Sequence, residues 1–266
     1  MLYLIVFTQF RTQNRCALLL ELFWRDEQSL MARIKGILFD KDGTLIDFDR
    51  TWFAIADLMA LQAANGSREE ADRLLDIAGY DFAARRFRGD SIFAAGTNAD
   101  IIALWYPHQT EAERAATLAE CNRFTSETGG SNPHPLPSVK EALTALHGSG
   151  YRLGVATNDS TAGVERTLAS LGMAQLFDAA YGYDAVANPK PAPDTIRAFC
   201  DLTGLKTSEI AMVGDNRHDL EMARNGDCGL AVAVLSGTGT RGALEPLADA
   251  VIESVADLPA LLAERG

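Results

Sequence analysis

Ile37-Leu38-Phe39-Asp40-Lys41-Asp42-Gly43-Thr44 is an apolar run that stops abruptly at two carboxylates separated by one residue, with a glycine behind them. The run from Ile34 to Phe39 is short, nearly continuous and sharply ended, which predicts a strand buried on both faces, as in a parallel sheet. Aspartates at i and i+2 repel each other in an apolar setting, so something must offset them: most simply a bound cation or a cationic substrate group. Two bland readings compete. Asp42-Gly43 is a common turn pair, and Asp-x-Asp-Gly also opens a calcium-binding EF-hand loop. The calcium reading fails on spacing, because position 6 is Leu45 rather than glycine and position 12 is Thr51 rather than glutamate.

Outward from this stretch the character changes twice. From Thr51 to about Ser126 the pattern is helical with little strand signal: Trp52, Phe53, Ile55, Ala56, Met59 and Ala60 recur at helical spacing. Ser67-x-x-Glu70 and Thr110-x-x-Glu113 are capping-box signatures. Arg85, Arg86 and Arg88 cluster between helices, and a solvated face is their simplest reading. The segment 129–137, rich in glycine and proline, predicts a hinge or linker. From Ser138 onward strands and helices alternate. Ser138-x-x-Glu141 predicts a helix ending near Gly148, and strands are expected at Tyr151 to Ala156, Glu209 to Val213, Gly229 to Val234 and Asp249 to Ile252. This alternation argues an α/β fold with a doubly wound, Rossmann-like parallel sheet.

The chain of 266 residues has 47% hydrophobic residues and a net charge of −12, enough for a sizeable core and one large domain, or a core plus a smaller domain. That charge argues against a nucleic-acid binder or a peripheral membrane protein, while a local site on an acidic protein can still be positive. Cys16, Cys121, Cys200 and Cys228 are far apart and form no Cys-x-x-Cys pair, which predicts reduced thiols of a cytoplasmic protein. Leu2 to Phe7 is too short to span a bilayer and lacks a basic flank. Met31-Ala32-Arg33 leads straight into the Asp40 strand, so residues 1–30 are expected to be an extension upstream of the true start.

Three apolar strands end in polar clusters: Asp40-Lys41-Asp42, Thr157-Asn158-Asp159 and Gly214-Asp215. In an open α/β sheet ligands bind at the carboxyl ends of strands, so these clusters and the Lys190 loop are expected to meet at one edge. Three aspartates, a hydroxyl and an ammonium together suit a divalent cation plus a phosphate.

These motifs resemble the haloacid dehalogenase superfamily of phosphatases. In order they are Asp40-Lys41-Asp42-Gly43-Thr44, Thr157-Asn158, Lys190 in Lys-Pro-x-Pro-Asp, and Gly214-Asp215-Asn216-Arg217-His218-Asp219. The resemblance covers residues 31–266. It implies a Rossmann-like core over 31–47 and 136–266, a helical C1 cap over 48–135, and a Mg²⁺-dependent phosphatase for a small phosphorylated metabolite, phosphoglycolate phosphatase-like. It implies Asp40 as nucleophile and Asp42 as acid and base. Thr157, Asn158 and Lys190 would bind the phosphoryl group. Asp40, the Asp42 backbone carbonyl, Asp215 and Asp219 would hold the metal. The second aspartate favours phosphate esters over dehalogenation. Two departures from the family pattern, Lys41 for an apolar residue and Phe48 for the usual serine, lie near the cap hinge, where they bear on substrate choice.

Other readings stay open at this point. Gly237-Thr238-Gly239-Thr240-Arg241-Gly242 matches a dinucleotide-binding pattern, but only 24 residues follow it. A sugar phosphomutase of the β-phosphoglucomutase type shares the same motifs, and a catalytically silent phosphate-binding protein is a third alternative.

Overall fold

The computed structural model describes residues 34–89, 91–129 and 132–265; the expected extension at 1–30 and the start at Met31 lie outside them. Six strands form one parallel sheet: β1 (Gly36–Phe39), β4 (Arg152–Ala156), β5 (Ala179–Tyr181), β6 (Ile210–Gly214), β7 (Leu230–Val234) and β8 (Ala250–Ile252). Their order across the sheet is β5-β4-β1-β6-β7-β8. The chain thus winds outward from β1 in both directions, the doubly wound α/β arrangement expected from the alternation.

Both faces of the sheet are dry, because successive side chains of a strand point to opposite sides. Ile37, Phe39, Leu153 and Val155 join one apolar layer. Leu38, Met212, Ala231 and Phe199 join the other. Flanking helices cover these layers: α6 (Val139–Gly148), α7 (Thr161–Ser170), α8 (Asp194–Thr203), α9 (Arg217–Asn225), the short α10 (Arg241–Leu244) and α11 (Leu258–Arg265).

Between β1 and α6 lies a helical block: α1 (Phe48–Ala63), α2 (Arg68–Ala78), α3 (Ile92–Ala95), α4 (Asn98–Trp105) and α5 (Glu111–Thr128). It has its own apolar cluster, in which Trp52, Leu75, Phe87, Phe93 and Trp105 take part. Its two connections to the sheet run side by side: Asp47 N donates to His134 O at 2.8 Å and Leu136 N to Leu45 O at 3.1 Å.

Four local details differ from or refine the sequence reading. Ser67 caps α2 by accepting from Glu70 N at 3.3 Å, but the Glu70 carboxylate turns to Arg73 at 2.6 Å instead of closing the box. Thr110 and Glu113 form the full reciprocal box on α5. Ser138 does not cap α6: it sits at φ +58° with no side-chain bond to the helix, which turns its hydroxyl away from the free N–H groups. The helical block also contains an unanticipated hairpin, β2 (Tyr80–Asp81) with β3 (Arg86–Phe87). Asp81 Oδ1 pins its turn by accepting from Ala83 N and Ala84 N, each at 2.9 Å. Among the described residues, no helix is long and apolar enough to cross a membrane.

Candidate active site

The strand register brings the polar clusters together. Phe39 pairs with Val155 of β4 and with Val213 of β6, so the residues that follow each strand emerge level at the carboxyl edge. Asp40 N still donates to Val213 O at 2.8 Å, and Thr157 N donates to Tyr181 O at 3.0 Å. Asp40, Thr157, Lys190, Asp215 and Asp219 are all buried here.

Lys190 is the hub. Its Nζ lies 2.6 Å from Asp40 Oδ1 and 2.6 Å from Asp219 Oδ1. The loop that carries it is tied down at both ends: Asn188 donates to Asp194 Oδ2 at 3.0 Å, and Asn225 Nδ2 donates to Pro191 O at 2.9 Å. Asp219 is at the third position of α9, where its Oδ2 accepts from Asn216 N at 3.0 Å. One carboxylate therefore closes the helix cap and orients the lysine.

Asp215 is enclosed by a turn on each side. Thr44 Oγ1 donates to its Oδ1 at 3.2 Å, and Thr238 N donates to its Oδ2 at 2.8 Å. Gly43 is required there: its φ is +83°, and a Cβ would lie 2.6 Å from Asp215 Oδ2. Gly237 is required for the same reason, since a Cβ would come within 2.0 Å of that oxygen. The glycine-rich stretch 237–242 thus serves to wrap Asp215, and the helix that opens within it, α10, has only four residues, which argues against the dinucleotide reading.

Carboxylate oxygens of Asp40, Asp215 and Asp219 lie within 4.8 Å of one another. Burial, opposed by the Lys190 charge, holds the Asp40 carboxyl well above the usual range. Burial, reinforced by the Asp219 charge, pushes Asp215 up to about 7. Three buried hard oxygen donors facing one ammonium are short of positive charge, and this donor set fits a divalent cation of the Mg²⁺ type.

Asp42 is held apart from that cluster. Its Oδ1 accepts from Trp52 Nε1 of α1, and its Oδ2 lies 2.7 Å from Lys41 Nζ. Lys41 is itself only 1% exposed. Its ammonium bridges to Asp159 Oδ2 at 3.1 Å and sits 5.0 Å from the centre of the Trp52 ring. Burial pushes the Asp159 carboxyl up, against the pull of Lys41, while the two carboxylates beside Lys41 outweigh its own desolvation and hold its ammonium above its ordinary value. Asn158 Nδ2 donates to the Ala95 carbonyl of the helical block at 2.8 Å, and His218 Nδ1 meets the same oxygen at 3.1 Å. A cavity of about 60 Å³ lies between the sheet edge and the helical block, lined by Asp40, Asp42, Thr157, Asn158, Lys190 and Asp219 on the sheet side.

A family model described as haloacid dehalogenase-like hydrolase matches residues 34–227. The chain belongs to the haloacid dehalogenase-like hydrolases. A phosphoglycolate phosphatase of Vibrio cholerae serotype O1 is 29% identical over 230 residues, covering 85% of this chain and 94% of the relative. One from Salmonella paratyphi A is 29% identical over 220 residues, covering 74% and 80%. The crystal structure of a predicted phosphoglycolate phosphatase from Haemophilus somnus 129pt superposes with a TM-score of 0.66 at 24% identity, covering 87% of this chain and 99% of that one, a likeness of fold. The chain is accordingly a phosphoric monoester hydrolase, phosphoglycolate phosphatase-like among the haloacid dehalogenase-like hydrolases.

Within this haloacid dehalogenase-like site, several participants were not singled out by sequence reasoning. Trp52 read only as a helix core residue, yet its indole N–H engages Asp42. Lys41 stood out only as a departure, and Asp159 only as the end of a cluster; the two prove to be partners. Thr238 carried the one available signal, a glycine-flanked threonine directly after a buried strand. Arg85, Arg86 and Arg88 are exposed around the β2–β3 turn, and Arg88 pairs with Asp76 at 3.1 Å.

Proposed function

We propose that this hydrolase is a Mg²⁺-dependent, cytoplasmic phosphatase of a small phosphorylated metabolite that works through an aspartyl-phosphate on Asp40. The observation that supports this most strongly is the shared ammonium: Lys190 bridges Asp40 and Asp219 at 2.6 Å each, directly beside the third buried carboxylate, Asp215. Asp40, Asp215, Asp219 and the Asp42 backbone carbonyl would hold the cation. When bound, Mg²⁺ supplies charge neutralisation for the phosphoryl oxygens.

In this reading Asp40 attacks phosphorus as the ester P–O bond breaks, and Lys190 keeps the attacking carboxylate oriented. Asp42 gives its proton to the leaving alcohol oxygen, then takes one from the water that cleaves the aspartyl-phosphate. Thr157, Asn158 and Lys190 bind the transferring group. Residues 31–47 and 136–266 act as the core, and 48–135 as a cap that covers the ester and excludes water. The phosphoglycolate phosphatases among the relatives support a substrate in the class of small phosphorylated metabolites.

The test is phosphate release from a panel of phosphorylated metabolites, with Mg²⁺ and with chelator. Turnover is expected only with Mg²⁺ and is expected to vanish in Asp40→Asn. Wild-type turnover by Asp40→Asn would refute the mechanism.

A further inference from the structure

We infer that Lys41 and Asp159 are positioning residues for the acid–base group Asp42: Asp159 fixes the Lys41 ammonium, and that ammonium, together with the Trp52 indole, fixes the direction of the Asp42 carboxyl at the cavity wall. The inference rests on the phosphatase reading and adds two residues that act through Asp42 and not on the substrate.

The contacts run from one strand end to the next. Asp159 follows β4 and Lys41 follows β1. Asp159 Oδ1 accepts from Ser160 N at 2.6 Å. Its Oδ2 is buried and makes no hydrogen bond of its own, so the Lys41 ammonium at 3.1 Å is what answers its charge. Room for this carboxylate is built into the start of α7, where a Cβ on Gly163 would lie 2.4 Å from Asp159 Oδ2. Lys41 Nζ then reaches Asp42 Oδ2 at 2.7 Å, while Trp52 Nε1 donates to Asp42 Oδ1. Each oxygen of Asp42 thus meets one donor, the first from the core and the second from the helical block. A carboxylate has about four acceptor sites, so two donors fix its direction and leave others free for the reacting proton.

Exposure follows the same order. The side chains of Lys41 and Asp159 are 1% and 5% exposed, that of Asp42 13%. Asp42 lines the cavity and Lys41 is not among its lining residues. Asp159 also reaches the lining, but its oxygens are spent on Ser160 N and Lys41. Fold stability alone does not account for a buried ammonium here, because apolar side chains in place of a buried ion pair are often no less stable. Precision does account for it. An acid must stand within hydrogen-bond reach of the oxygen it protonates, and a displacement of about 1 Å costs up to about a hundredfold in rate. The anchor also keeps register with the phosphoryl-binding loop, since Asp159 N donates to Thr157 Oγ1 at 3.1 Å.

The experiment separates acid catalysis from everything else by leaving group. An alkyl alcohol departs as a strongly basic alkoxide unless Asp42 protonates it, whereas 4-nitrophenolate is stabilised by its own ring and needs little help. The ratio of kcat/KM for an alkyl ester to that for 4-nitrophenyl phosphate therefore reads the acid, and it cancels losses of folded protein or of phosphate binding that both esters share. The alkyl ester is whichever of 2-phosphoglycolate, glycerol 3-phosphate and ethyl phosphate the full-length native enzyme turns over fastest in Mg²⁺. Lys41→Met is expected to lower the ratio about tenfold and the milder Asp159→Asn, which keeps the shape of the side chain, about threefold. In an Asp42→Asn background, where the group to be positioned is gone, Lys41→Met should change the ratio less than about twofold. A ratio at or above the native one in either single variant overturns the inference, as does an undiminished effect of Lys41→Met in the Asp42→Asn background. A native enzyme that releases phosphate from none of the four esters overturns the phosphatase reading, and the inference with it.

Discussion

Replacing Lys41 with methionine removes the only ammonium that the described structure places beside Asp159. Methionine keeps the length and the apolar stem of the side chain, so packing against Trp52 is largely preserved. What changes is charge. Lys41 Nζ lies 3.1 Å from Asp159 Oδ2 and 2.7 Å from Asp42 Oδ2, and the Asp159 side chain is 5% exposed. Taking one partner from a buried pair costs about 3–5 kcal/mol, because the other charge is left uncompensated. Asp159 retains a bond from Ser160 N at 2.6 Å, which places the expected loss for Lys41→Met near the lower end, about 3 kcal/mol. Asp159→Asn is expected to cost less, about 1–2 kcal/mol, since Lys41 still has Asp42. The double variant Lys41→Met/Asp159→Asn leaves only the partly exposed Asp42 carboxylate there, which keeps its bond from Trp52 Nε1. It should be about 2 kcal/mol more stable than the sum of the single losses predicts. Urea unfolding of all four proteins at neutral pH measures this. The pH dependence adds a second check. Burial already raises the Asp159 carboxyl, and without Lys41 it rises further, so the folded state binds its proton more tightly than the unfolded state does. The deficit of Lys41→Met is therefore full above that raised value and shrinks as the pH falls toward the ordinary carboxylate range, about 4. A Lys41→Met protein within about 1 kcal/mol of the native one, or strictly additive losses in the double variant, would refute the pairing.

Further outcomes follow from the same contacts. Trp52→Phe keeps an aromatic ring against Phe93 but removes the donor to Asp42; kcat is expected to fall about tenfold with KM little changed, and an unaltered kcat in steady-state assays would show that the indole does not position Asp42. Asp215, pushed up to about 7, holds a proton in the folded, metal-free protein that the unfolded chain releases near pH 4. Its contribution to stability in chelator is thus lost as the pH rises from about 4 to about 7. Cation binding must expel that proton, so the gain in Tm from Mg²⁺ should grow between about pH 5.5 and pH 8; equal gains at both, read by scanning calorimetry, would count against Asp215 as a ligand. Arg88→Ala should leave KM within about twofold of native, because Arg88 pairs with Asp76 and is not among the lining residues; a large rise in KM would show that Arg88 reaches the substrate.

What could be read from the sequence depended on the range of the forces involved. The strands were readable because a parallel strand buried on both faces must be apolar until it ends, and β1, β4 and β6 end at Asp40, Thr157 and Asp215. The convergence of those residues then follows from sheet topology alone. The β2–β3 hairpin was not readable: each strand has two residues, and its turn is set by Asp81 bonding two backbone N–H groups. Ser138 matched a capping signature but adopts a left-handed conformation, a choice made by the chain around it and not by the four-residue pattern. Lys41 shows most clearly where local reading ends. In the sequence it stands out only as a lysine where the family pattern has an apolar residue. It is buried, because β4 lies beside β1 and carries Asp159 to the same edge. Position 41 lies past the strand end, where the backbone turns away from the sheet, and a carboxylate from the next strand is what makes burying an ammonium there tolerable. The same pairing settles why Asp42 differs from Asp40. Asp40 shares the ammonium of Lys190 with Asp219, whereas Asp42 shares the ammonium of Lys41 with Asp159. Two aspartates one residue apart thus face separate lysines, which leaves one beside the other buried carboxylates and the other against the helical block.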